Sequence, residues 1–215
     1  MRGGAVLRVI AIEASTARVS VAFVDDGHAA ARRFEAVGRL SGVLVPSLRE
    51  LATEAWPLSA AELIVTAGGP GSFTGLRVGM AAAKGLAFVT ALPVVAVSSL
   101  AAIASAAGIR GNVVAVLDAR GGYYFYAVYD CSGGYPGEAG AAAIGDAETV
   151  AALPYDVFAG PPAQALREGT RRAVRWLEVW PDAVVLARLG VLAFRLRGAD
   201  DLATLKPTYL KRGQV

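Results

Sequence analysis

The chain has 215 residues, 55% of them hydrophobic, with a mean hydropathy of +0.48, which excludes an intrinsically disordered chain and suits one domain or two small lobes with a real core. Its net charge of +3, from 21 basic and 18 acidic residues, and a pI near 9.2 permit nucleic-acid contact without demanding it. The single cysteine, Cys131, excludes an intrachain disulfide and a cysteine-built zinc site; its surroundings, Tyr129-Asp130-Cys131-Ser132-Gly133-Gly134, read as a turn carrying a half-exposed thiol.

Arg8 interrupts the first apolar run and Glu13 follows, which argues against a secretory signal and for a cytoplasmic protein. Val6–Ile12 is β-branched and reads as a central strand, Val19–Val24 as a second, and Ala29–Glu35 as a third that returns through an Asp25-Asp26-Gly27 turn. Over Ser41–Trp56 the apolar residues Leu44, Leu48, Leu51 and Ala55 recur at helical spacing, with Pro46 tolerated in the first turns and Pro57 closing the helix. A short strand at Glu62–Thr66 leads into a glycine loop, a helix of small residues at Gly75–Ala91, a strand at Val94–Val97 and a helix at Ser99–Ala107 capped by Ser98 or Ser99. The long uncharged stretch between Lys84 and Arg110 is rich in Ala and divided by Pro93 and Ser98-Ser99, so it reads as buried α/β core rather than as a membrane span.

The second half opens on strands at Val113–Leu117 and Tyr123–Tyr129, paired around Asp118–Gly122. The remaining expectations are a strand near Ala139–Ile144, a helix near Ala147–Leu153, a strand at Asp156–Gly160, a helix after Pro161-Pro162, a longer helix over Asp182–Arg197 and an extended segment from Leu205 to Leu210. The pattern is α/β, with an antiparallel start followed by parallel crossovers, divided into lobes at residues 1–108 and 109–215.

The glycine loop runs Gly68-Gly69-Pro70-Gly71-Ser72-Phe73-Thr74-Gly75-Leu76-Arg77. Strand, turn and helix start follow one another, and Ser72 or Thr74 can cap the helix. It is not a phosphate-binding Walker loop, because Gly-Lys-Ser/Thr is missing at the required spacing, and Thr74 breaks a dinucleotide fingerprint. Gly75, Gly79 and Ala83 repeat every fourth residue, a flat face suited to close packing inside the fold or across an interface.

Gly69–Arg77 resembles the signature loop of the TsaB family. The opening Ala11-Ile12-Glu13-Ala14-Ser15-Thr16 with Val19-Ser20-Val21-Ala22 is similar to that family's first hairpin, and Val97-Ser98-Ser99-Leu100, Asp118-Ala119-Arg120, Val128-Tyr129 and Pro207-Thr208-Tyr209-Leu210-Lys211 match in order. Residues 139–197 match loosely, and Leu40 stands before Ser41 where members commonly carry a histidine.

The resemblance implies a shortened actin/Hsp70/sugar-kinase (ASKHA) fold of two small lobes. It implies a non-catalytic subunit that pairs with TsaD through first-lobe helices and joins TsaE in placing threonylcarbamoyl on the N6 of the adenosine beside the tRNA anticodon. It also implies a homodimer when the chain is alone, no cofactor or metal in this subunit, and ATP and metal on the TsaD and TsaE partners. The interface is expected at Leu44, Leu48, Leu51, Ala55, Gly75, Gly79 and Ala83, on the helices Val43–Ala55 and Gly75–Phe88. The signature loop supplies Gly69, Pro70, Gly71, Ser72, Phe73, Thr74, Gly75 and Arg77. Glu13, Ser15, Thr16 and Asp118 fall where an ASKHA enzyme holds its nucleotide, with Glu13 in place of an aspartate. Two rivals are a metal-dependent glycoprotease-like enzyme and a small ASKHA ATPase or phosphotransferase. Against the first stands His28, a lone histidine in a turn, with no paired metal ligands. The basic groups Arg32-Arg33, Arg171-Arg172 with Arg175, and Lys206 with Lys211-Arg212 offer phosphate contacts but read mainly as solvated faces.

Overall fold

A computed structural model describes residues 7–25, 28–35, 38–53, 56–161, 164–169 and 173–210. The start of the first strand at Val6, the Asp26-Gly27 turn, Ala55, Pro162, Arg171, Arg172, Lys211 and Arg212 lie outside the described residues.

The first sheet has the order β3-β2-β1-β4-β5, from β1 (Val9–Glu13), β2 (Arg18–Val24), β3 (Ala29–Glu35), β4 (Leu63–Gly69) and β5 (Val94–Ser98). The β1–β2 and β2–β3 pairs are antiparallel, and β1–β4 and β4–β5 are parallel. All five β1 residues are buried. Ile10 and Ile12 face α1 (Leu40–Leu51) and α2 (Phe73–Thr90), packing with Leu44, Leu48, Ala83 and Ala87. Val9 and Ala11 face the opposite layer, where α6 (Ala183–Arg197) contributes Ala183, Leu186, Ala187 and Leu189. A strand sandwiched in this way must be apolar at every position, not at alternate ones.

The second sheet has the order β11-β10-β6-β7-β8, with β9 also on β7. Its strands are β6 (Asn112–Arg120), β7 (Tyr123–Asp130), β8 (Gly137–Glu138), β9 (Ala143–Asp146), β10 (Val157–Gly160) and β11 (Arg175–Glu178). One face packs on Leu100, Ile103 and Ala104 of α3 (Ser99–Ala106). The other covers Val150 of α4 (Ala147–Ala151) and Leu166 of α5 (Gln164–Gly169). Both sheets are mixed, and each has helices on both faces. The second sheet lies wholly after residue 108, but α6 recrosses to the first sheet. Its seat is tight: a Cβ at Gly190 would collide with the Val65 side chain.

Several boundaries differ from expectation. The first helix stops at Leu51 rather than Trp56, because Ala52 turns extended (ψ 128°) and Thr53 and Trp56 bond each other, Thr53 Oγ1 also accepting from the Trp56 N–H at 3.1 Å. The strand expected near Ala139–Ile144 begins at Ala143 and runs to Asp146, whose carboxylate caps α4 by accepting from Thr149 N at 2.8 Å. The edge strand β11, aligned by Trp176 stacking on Phe158, had no sequence signal of its own. The Lys84–Arg110 stretch resolves into the end of α2, β5 and α3, and no helix among the described residues is long and apolar enough to cross a membrane. Cys131 is 4% exposed, not half-exposed; its Sγ points back at the Ala104 carbonyl, and burial pushes the thiol up.

Candidate functional site

The glycine loop is a junction between three parts of the chain. Strand β4 ends at Gly69, a cis Gly69–Pro70 bond follows, and Ser72 caps α2 by accepting from the Gly75 N–H at 3.2 Å. On one side the loop presses on the β1–β2 turn. The Ser72 N–H donates to the Ser15 carbonyl at 2.7 Å, a Cβ at Gly71 would strike that carbonyl, and a Cβ at Gly75 would strike the Ala14 carbonyl. On the other side Thr208 N–H donates to the Gly68 carbonyl at 2.8 Å, while Gly69, at φ +98°, leaves room for the Thr208 carbonyl. The glycines that would let a phosphate approach the backbone instead admit the chain's own backbone, and two of the amides at this helix start are already bonded.

Beside the loop lies a cleft of about 540 Å³ between the sheets, lined by Ser15, Thr16, Ser72, Thr74, Asp118, Arg120, Trp180 and Tyr209 among others. The structure therefore brings together three of the four residues expected on the nucleotide side, Ser15, Thr16 and Asp118, with the signature loop. Asp118 closes a local turn there, Oδ1 accepting from the Arg120 N–H at 2.7 Å. The fourth, Glu13, is sealed beneath the cleft at 0% exposure. Its Oε1 accepts from Ser15 N–H at 2.6 Å, and Oε2 is buried without a partner among the described residues. Burial pushes its carboxyl up to about 7, with Asp182 adding to the rise and hydrogen bonding from Ser15 opposing it. Glu13 is thus a core carboxyl, not a carboxylate offered to a metal in the cleft. His28 stands exposed on its turn, and no group of three His, Cys, Asp or Glu side chains gathers among the described residues.

Of the expected interface residues, those described do not stand on an open surface, and Ala55 lies outside the described residues. Leu44 and Leu48 are each 1% exposed, and Leu51 is half-buried in the same core. Gly75, Gly79 and Ala83 point inward at Ala14 and β1. In the folded chain these residues are therefore turned inward. The stripe of each helix is spent on this chain's own sheet, and a partner would meet the opposite faces. Those faces carry Gly42 and Val45 on α1 and Ala81, Gly85, Phe88 and Val89 on α2, with Phe88 84% and Val89 83% exposed. The signal was present in the sequence: Ala81, Gly85 and Phe88 form a second helical stripe, out of phase with the glycine stripe.

Another cluster joins parts of the chain too distant for sequence spacing to connect. The Arg77 guanidinium lies 3.9 Å over the Phe73 ring, the Phe73 and Tyr209 rings are 5.2 Å apart, and Arg77 Nε donates to the Tyr209 hydroxyl at 3.2 Å. Of the basic groups, Arg33 pairs with Asp182 at 2.6 Å and Arg32 with Glu50, so both guanidinium groups already have carboxylate partners within the chain.

Comparison with known proteins fixes the family. Residues 36–187 match the model of the TsaD family, tRNA N6-adenosine threonylcarbamoyltransferase. The chain is 32% identical over 183 residues to the Escherichia coli tRNA threonylcarbamoyladenosine biosynthesis protein TsaB, covering 82% of this chain and 74% of that protein. The chain belongs to the TsaB/YeaZ family. A 38% identical match over 118 residues joins it to the TsaB of Haemophilus influenzae, covering 53% of this chain and 50% of that one. Among solved structures, YeaZ from Pseudomonas aeruginosa superposes with a TM-score of 0.86 at 30% identity, covering 95% of this chain and all of that one. The two-sheet α/β architecture is therefore that of YeaZ, and the glycine junction sits within a TsaB/YeaZ framework.

Proposed function

We propose that this chain is the non-catalytic partner subunit of a TsaD-containing complex that transfers threonylcarbamoyl to N6 of the anticodon-adjacent adenosine in tRNA. The relatives' shared name supports the pathway. The observation that carries the partner role is the unpartnered apolar face of α1 and α2, where Val45, Phe88 and Val89 stand exposed beside Gly42, Ala81 and Gly85. Such a stretch of small and apolar exposed residues suits close helix-to-helix docking on a TsaD-like subunit. In this reading the fold is a shortened ASKHA fold with lobes at 1–108 and 109–215, working in the cytoplasm. A TsaE-like ATPase joins the complex, ATP and metal are held by the partners, and tRNA is engaged through them. The same helix face forms a homodimer when the chain is alone. The sealed Glu13 and the self-filled glycine loop favour a supporting role over an ATPase or a metalloprotease.

Gly85→Glu tests the proposal cleanly. A side chain at Gly85 meets open space, so the variant folds. A charge buried in the docked interface should weaken binding to the TsaD-like subunit by roughly thirtyfold or more, read by co-purification and titration, with Phe88→Asp behaving alike. Parent-like affinity in both variants would remove this face from the interface.

A further inference from the structure

After α6 the chain is tied to β5 at Asp200, and from Leu205 on three polar anchors hold it, all on β4 and α2. Lys84 Nζ donates to the Leu205 carbonyl at 3.1 Å, the Thr208 N–H donates to the Gly68 carbonyl at 2.8 Å, and Arg77 donates to the Tyr209 hydroxyl at 3.2 Å while the Tyr209 ring rests on Phe73. Arg77 and Lys84 are two helical turns apart on the same side of α2. The signature loop is consequently gripped from both sides, by Thr208 on one and by the Ser15 carbonyl on the other. Ser15 lines the cleft and yet is only 2% exposed, because Gly71 and Ser72 sit on it. The strap itself is superficial. Leu205 packs at the edge of the core beneath α1 and α2, but Tyr209 is 42% and Phe73 54% exposed, so beyond Leu205 the grip rests on a ring contact and a few hydrogen bonds.

We propose that residues 205–210 are a releasable strap that holds the signature loop down over the cleft floor, with Tyr209 as its latch. Release frees the Gly68–Gly69 side of the loop, lets Gly71 and Ser72 lift from Ser15, and opens the floor of the cleft to solutes. The inference does not depend on which partner or pathway the chain serves.

The test uses the full chain carrying Ser15→Cys, with native Cys131, which is 4% exposed, as internal reference. A small maleimide labels the protein, and peptide mass analysis resolves the two positions. Adding Tyr209→Ala should raise the labelling rate at position 15 by about tenfold or more while Cys131 stays slow, as expected for a local opening. Tyr209→Phe keeps the ring on Phe73 and should fall between parent and alanine. An unchanged rate at position 15 in Tyr209→Ala would overturn the latch. So would an equal acceleration at Cys131, which would mean general loosening instead of release of the loop.

Discussion

Glu13 offers the sharpest test of how this core is built. Its carboxyl is fully buried at the end of β1, accepts one hydrogen bond from the Ser15 N–H, and leaves Oε2 unpaired among the described residues, with Asp182 nearby. Its pKa rises from 4.5 to about 7 on folding, chiefly through desolvation. Because the folded value is raised, the folded chain binds more protons than the unfolded chain between those two pH values. Stability is therefore greatest below pH 4.5 as far as this group is concerned, and is lost as pH rises towards 7. A shift of this size corresponds to about 3 kcal/mol. Glu13→Gln keeps the oxygen that accepts from Ser15 and removes the titration. Urea unfolding of both proteins from pH 4.5 to pH 8 should show the variant gaining on the parent with rising pH, by about 3 kcal/mol in total. Parallel stability curves would refute the placement of Glu13 as a desolvated carboxyl.

Three further substitutions probe the packing. Gly75→Ala should destabilise by about 1–3 kcal/mol or more, since its Cβ meets the Ala14 backbone carbonyl, which cannot move aside without shifting β1. Gly85→Ala, in the same helix but facing open space, should stabilise by up to about 1 kcal/mol; thermal melts of the pair compare the two faces of α2 directly. Asp182→Ala removes the cap of α6, where Oδ1 accepts from Val184 N–H at 2.9 Å, together with the Arg33 ion pair, and should cost about 1 kcal/mol, mostly the cap. A melting temperature equal to the parent's would show that α6 does not depend on this cap.

Much of the fold was legible because its signals are local. The Ala29–Glu35 strand has the expected ends, Ser98 caps α3 as one of two serines considered, and the apolar phase of α1 faces the core. What failed was non-local. The Gly75/Gly79/Ala83 stripe shows that something packs closely on α2, but periodicity does not say whether it is the chain's own β1 or a partner. Here it is β1, and the outer stripe of Ala81, Gly85 and Phe88 is left free. The ring contact between Phe73 and Tyr209 joins residues whose proximity only the fold creates. Glu13 was expected on the nucleotide side, yet the unbroken apolar run before it already marked a strand buried on both faces, where a carboxyl at the last position is desolvated. β11 was missed because its four residues carry no alternation and take their place from pairing with β10.

The central claim is that this chain supports tRNA threonylcarbamoylation without performing it. Reconstituting the reaction from the TsaD-like and TsaE-like proteins with a threonylcarbamoyl donor, with and without this chain, and measuring threonylcarbamoyladenosine in digested tRNA by mass spectrometry tests that claim most directly. The account predicts that modification falls to background when the chain is omitted and is not restored by Gly85→Glu. Undiminished modification in its absence would contradict it.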